Sequence, residues 1–200
     1  MAKKLYPLNV GQMLQYLPIK ETGTQRCCNI SVFSGLQTEI KFGLLKQCIE
    51  EEIKRADCLR LRFTAPDKDG FVQQYIAEKD YRDIPFLDLS GMSMEEADNF
   101  LQQKTFEEFN DPDIPMVEFT MVKMPEGYNG MYIHIDHRLT DSSGLIVMVN
   151  DIMELYCHYR FGSEYPKPLA SFEEVLQSDL QKAQNEKRRA KDEQFWRDYL

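Results

Sequence analysis

At 200 residues, 42% of them hydrophobic and 12% aromatic, the chain is long enough to bury one packed core. Its formal net charge of -9 argues against nucleic acid or an anionic membrane surface as a partner, because both demand clustered Lys and Arg. Five cysteines, odd in number and without metal-ligand spacing, argue against a disulfide framework or a zinc site, and no stretch approaches the roughly 18 apolar residues of a membrane span, so a reduced, cytoplasmic protein is expected.

In chain order, Tyr6 to Leu17 reads as a loop entering an amphipathic helix, with Asn9 as candidate cap and Met13, Leu14 and Leu17 on one side. Asn29 to Phe33 is a strand. Thr38 to Ala56 is a helix whose Ile40, Leu44, Leu45, Cys48, Ile49 and Ile53 form a buried stripe, while Glu50 with Lys54 and Glu51 with Arg55 pair on its wet face. Cys58 to Thr64 alternates, setting Leu59, Leu61 and Phe63 opposite Arg60 and Arg62. The turn at Asp67 to Gly70 and a strand over Phe71 to Ala77 complete a hairpin. Ser93 and Glu96 form a capping box that opens a helix to about Phe109.

The stretch from Tyr132 to Gly144, YIHIDHRLTDSSG, holds two of the three histidines and changes period from two to about 3.6. Met131, Ile133 and Ile135 alternate with Tyr132, His134 and Asp136 as in a half-buried strand, which puts His137 on the isoleucine face and Asp136 toward solvent. The turn residues of Pro125 to Gly130 pair this strand with the one before it as an antiparallel hairpin. Ser142 or Ser143 caps the helix that follows, marked by Leu145, Met148, Val149, Ile152, Met153 and Tyr156. A histidine at the end of a strand, with a carboxylate four residues on, suits general-base chemistry because neutral imidazole accepts a proton near pH 7. His134 reads as structural, His158 as a surface residue, and Tyr132, Tyr156 and Tyr159 as packing. A last helix opens at Ser171, turns very polar from Gln181 to Gln194 and regains apolar residues at Phe195, Trp196, Tyr199 and Leu200.

DHRLTDS, Asp136 to Ser142, resembles the HHxxxDG signature of nonribosomal peptide synthetase condensation domains and related acyltransferases. The resemblance makes His137 the catalytic second histidine and Asp141 the signature aspartate, which supports the motif through a salt bridge to an arginine. Asp136 stands where the family has its first histidine and Ser142 where it has glycine, whereas the shorter HxxxD form of the superfamily is fully met. RADCLRLRF, Arg55 to Phe63, resembles the family's RHExLRTxF and offers Arg60 as the partner of Asp141. Gln12 resembles the glutamine of the family's opening motif, Asp111 to Pro115 its "D-x-P-F/L" segment, and Met116 to Met124 the strand before the motif strand.

The fold implied is a two-layer α/β lobe, like chloramphenicol acetyltransferase, with a mixed sheet of about five or six strands and helices on one face. Residues 1 to 200 would be the N-terminal lobe, with residues 168 to 200 leading to a C-terminal lobe outside the sequence. Three functions compete. In the first, an acyl group passes from a thioester on a carrier protein's phosphopantetheine arm or on coenzyme A to an amine or alcohol, with His137 as base or positioning group and no metal or covalent cofactor. In the second, the altered motif preserves only the fold and the lobe recruits a carrier protein or an enzyme; in either, a docking patch for an acidic carrier would be a local basic island. A compact trimeric acetyltransferase ranks third, since its motif would lie near the C-terminus. A lobe alone would leave His137 at an open surface and be close to inactive.

Overall fold

The computed structural model describes residues 3–78, 80, 82–109 and 112–199. Asp111 and Leu200 lie outside the described residues. Helix α1 (Val10–Thr22) starts at Asn9, where a capping box closes: Asn9 Oδ1 accepts the Gln12 N–H at 2.8 Å and Gln12 Oε1 accepts the Asn9 N–H at 3.0 Å. There follow β1 (Asn29–Leu36), α2 (Phe42–Arg55), β2 (Leu61–Phe63), β3 (Gln74–Ile76), β4 (Phe86–Asp88), α3 (Met94–Lys104), β5 (Val117–Lys123), β6 (Asn129–Asp136), α4 (Ser142–Phe161), α5 (Phe172–Ala183) and α6 (Glu186–Tyr199).

The main sheet is mixed and four-stranded, in the order β1-β6-β5-β4; β6 is antiparallel to both neighbours, and β4 parallel to β5. β2 and β3 form a separate antiparallel hairpin. Among the described residues six strands are therefore present, but not in the single sheet expected. The outer edge of β3 is taken by Tyr6, whose backbone exchanges hydrogen bonds with Gln74 at 2.8 and 2.9 Å, so the hairpin is tied to the N-terminal segment.

Alternation sorts the side chains of β5 and β6 into two clusters. Val117, Phe119, Met131, Ile133 and Ile135 join Leu45, Ile49 and Ile53 of α2 and Met148, Ile152 and Leu155 of α4 in the main core. The opposite face carries Val122, Tyr132 and the adjoining Met124 against Ala97 and Leu101 of α3. The two long core helices thus share one face as expected, and α3 covers part of the other. This second layer is why β6 is buried on both faces rather than half-buried. Gly130 and Gly35 face each other where β6 meets β1, and a methyl on Gly130 would overlap the Ser34 carbonyl oxygen. The β5–β6 turn uses left-handed backbone at Glu126 (φ 56°) and Gly127 (φ 80°).

The single polar helix expected after Ser171 is two helices. It breaks at Gln184 and Asn185, where the Asn185 side chain accepts the Arg188 N–H at 3.1 Å and starts α6 anew. α6 buries none of its described residues, and Trp196 remains 55% exposed.

Candidate active site

The chain leaves β6 at Asp136 and enters α4 at Ser142, and the residues between form a loop pinned at both ends. At the near end the His137 N–H donates to the Cys28 carbonyl at 2.7 Å, just before β1, and the Leu139 N–H donates to the Asp136 carbonyl at 3.0 Å. At the far end Asp141 is the cap of α4: its Oδ1 accepts the Gly144 N–H at 2.8 Å. Neither Ser142 nor Ser143 takes that role, because the helix begins one residue earlier than the serines would place it. Gly144 leaves room for Thr140, whose Oγ1 would overlap a methyl there.

His137 is half-buried and lines a groove of about 630 Å³ between β1 and the first half of α4. Ile30, Val32, Phe33, Leu145, Ile146 and Val149 make its walls apolar, and Ser31, Ser34, Ser142 and Asn150 add hydroxyls and one amide. The imidazole therefore meets an apolar volume large enough for part of a small organic substrate.

Two expectations for the loop need correcting. Asp141 does not pair with Arg60. Its carboxylate is exposed and engaged by the α4 N-terminus, which favours a negative charge, while Arg60 donates to Asp57 Oδ1 at 2.6 Å and to the Ala77 carbonyl at 3.0 Å. Asp136 does not point into solvent. It is fully buried and bound to Arg138, with Oδ1 accepting the Arg138 N–H and Nε–H, both at 2.8 Å, and Oδ2 accepting Nη2–H at 2.6 Å. Arg62, on the face opposite the apolar side chains of its strand, is buried against Asp80 at 2.7 Å.

Arg138 was not singled out from the sequence. The available signal was the pattern Asp-His-Arg, opposite charges two apart around a histidine. Its guanidinium lies 4.1 Å from the centre of the Phe63 ring and lines a second cavity, of about 380 Å³, with Tyr16, Val72 and Met116. Gln12, matched to the opening motif, donates to the Arg138 carbonyl at 3.1 Å and pairs amide to amide with Gln74 at 2.7 Å, so α1 holds the loop from below.

The other histidines lie apart from this loop. His134 is buried, stacked on Phe109 with ring centres 4.6 Å apart, and its Nδ1 is 3.8 Å from a Glu118 carboxylate oxygen, too far for a hydrogen bond; the neighbouring imidazole holds Glu118 below the usual carboxylate range despite its partial burial. His158 Nδ1 lies 2.6 Å from the Ser163 carbonyl oxygen. Burial pushes the Cys28 thiol up to about 12, which leaves it protonated and unreactive beside the loop. Among the described residues no three His, Cys, Asp or Glu side chains come together to hold a metal ion, and no helix is long and apolar enough to cross a membrane.

Residues 2–200 match the family model of the condensation domain. Surfactin synthase subunit 1 of Bacillus subtilis (strain 168) is 30% identical over 162 residues, 78% of this chain and 4% of that protein. A plipastatin synthase of the same organism is 22% identical over 170 residues, 84% of this chain and 7% of that protein. Among solved structures, the starter condensation domain of rhizomide synthetase, crystallised as a variant in complex with C8-CoA, superposes with a TM-score of 0.86 at 22% identity, over 98% of this chain and 45% of its own. The first condensation domain of the calcium-dependent antibiotic synthetase does so with a TM-score of 0.78 at 14% identity, over 92% and 47%. The chain thus spans about half the length of the solved domains it resembles, and the α/β lobe is of the chloramphenicol acetyltransferase-like kind they share. With a family match running from residue 2 to residue 200, this chain belongs to the condensation-domain family of nonribosomal peptide synthetases and corresponds to its N-terminal lobe.

Proposed function

We propose that the protein containing this lobe is an acyltransferase that moves an acyl group from a thioester, on coenzyme A or on a carrier protein, to an amine or alcohol. The observation that carries the reading is His137 at the end of the apolar groove between β1 and α4, in a chain of the condensation family. In this scheme His137 takes the proton of the acceptor N–H or O–H, or holds the acceptor by that hydrogen bond, as its lone pair attacks the thioester carbonyl. The tetrahedral intermediate collapses with cleavage of the C–S bond, and the departing sulfur takes up a proton as the thiol. The apolar walls exclude water that would compete for the thioester. The neighbour crystallised with C8-CoA supports a coenzyme A thioester as one donor.

The test is an acyl-transfer assay of the full-length protein, with octanoyl-CoA and an aminoacyl thioester, beside its His137→Ala variant. A fall of about 100-fold or more in kcat/KM is expected, the usual scale for loss of a general base. Undiminished turnover by the variant would refute the role of His137. The replacement of the first motif histidine by Asp136 and of the glycine by Ser142 favours a second reading, a recruitment domain that binds a carrier protein without turnover. An inactive wild type that still binds an acyl-loaded carrier protein would select it.

A further inference from the structure

The residues on either side of His137 are locked to each other. Asp136 Oδ1 accepts the backbone N–H of Arg138 at 2.8 Å, which closes a turn with His137 as its middle residue and limits the backbone torsions that aim the imidazole. The same carboxylate grips the Arg138 guanidinium through Nε and Nη2 at 2.8 and 2.6 Å, and both side chains are buried, at 0% and 3% exposure. Phe63 lies against the guanidinium at 4.1 Å, and Gln12 holds the Arg138 carbonyl at 3.1 Å. His137 and Arg138, adjacent in sequence, consequently face different cavities, the groove along β1 and the one beside Tyr16 and Phe63.

We infer that Asp136 and Arg138 are the positioning pair for His137, and that the aspartate in place of the motif's first histidine is matched by this arginine rather than being a mark of decay. The inference rests on the functional reading above for its kinetic consequence, but not for its geometry. A fully buried carboxylate needs a paired cation, and here the cation is supplied from within the loop, two residues on. The pair brings the backbone around His137 into one arrangement without help from Asp141, whose carboxylate is used by α4, or from Arg60, which is used by Asp57.

Three variants of the full-length protein test it: Asp136→Asn, Arg138→Lys, and the double change Asp136→Asn/Arg138→Gln. Arg138→Lys keeps the charge but loses the two-pronged grip, so it is expected to fold with kcat about 100-fold lower and KM within about twofold, the scale of a catalytic group misplaced by about 1 Å. Asp136→Asn strands the guanidinium and is expected to lose stability as well. The double variant removes both charges, and should regain stability without regaining kcat. A pair that served stability alone would let the double variant recover both. The ring signals of His137, followed by NMR across a pH titration, should move in Arg138→Lys while those of His134 and His158 stay. The inference is overturned by a folded Arg138→Lys or double variant with wild-type kcat, or by a His137 titration unchanged in Arg138→Lys. Normal turnover in His137→Ala would defeat the functional reading instead, and the NMR titration would still decide the positioning.

Discussion

Replacing Asp141 with alanine separates two roles that the same side chain could play. A carboxylate paired with a buried arginine would leave an unpaired charge when removed, at a cost on the order of 3 kcal/mol. A helix cap costs about 1 kcal/mol. Because Asp141 is exposed and holds the Gly144 N–H, urea denaturation of Asp141→Ala should show the smaller loss, with little effect on Arg60. Gly130→Ala should be the more damaging of the two. Its new methyl would meet the backbone of Ser34 and Gly35, and backbone cannot turn aside as a flexible side chain can, so a loss of about 2 kcal/mol is expected in the same measurement. The contrast follows from surroundings, since one side chain meets water and the other position meets a neighbouring strand.

Between elements, the α2–α4 contact contains a group that titrates near neutrality. Glu52 of α2 is almost fully buried beside Asp151 of α4, and Arg55 lies 2.9 Å from Asp151 and 3.8 Å from Glu52. Burial above all, and then hydrogen bonding with Asp151, pushes Glu52 up to about 8 from its ordinary 4.5. The folded state therefore holds a proton that the unfolded chain releases above about pH 4.5. This stabilising contribution is fully present below that pH, declines as pH rises, and is lost once pH passes about 8. Asp80, held down despite its burial by hydrogen bonds from Arg82 and Arg62, acts in the opposite sense and only in acid. Unfolding free energies measured in urea at pH 5 and pH 8.5 should differ for this group by on the order of 3 kcal/mol, and Glu52→Gln should remove that part of the difference by fixing the neutral form. An equal pH dependence in wild type and variant would show that Glu52 is ionised throughout.

At the scale of the molecule, the groove that carries His137 opens along β1 and the outer turns of α4, where Ile146 is 62% exposed. α6 holds Phe195, Trp196 and Tyr199 in mutual contact and largely in water. Apolar surface of this kind calls for a cover. In a protein containing the rest of the domain, with any tryptophan outside these 200 residues replaced by phenylalanine, the fluorescence of Trp196, the one tryptophan of this chain, should shift to shorter wavelength relative to the 200-residue chain. The same comparison should show acyl transfer in the longer protein and little in the shorter one, because a single lobe fixes the acceptor from one side and leaves the thioester open to water. Efficient, His137-dependent transfer by the 200-residue chain as a monomer would contradict this.

Period and turn chemistry were sufficient to read the helices around Leu45 and Met148, the β5–β6 hairpin and the Asn9 cap, because these depend on neighbours a few residues away. The motif residues His137 and Asp141 and the run from Arg55 to Phe63 were legible for the same reason, as short patterns. What tertiary structure decided were the partners. Asp136 read as a wet strand end because alternation assigns a face but cannot report that Arg138, backed by Phe63, closes over that end of the strand. Arg60 and Asp141 read as a pair because the motif resemblance joins the signature aspartate to an arginine, yet Asp57 and the first turn of α4 lay nearer. The strands divide four plus two, and the smaller sheet takes its further edge contact from Tyr6, paired with Gln74, 68 residues later in the chain. Local sequence sets which residues are apolar and where the chain turns, whereas the choice of partner for a buried charge depends on distances that exist only once the core has formed.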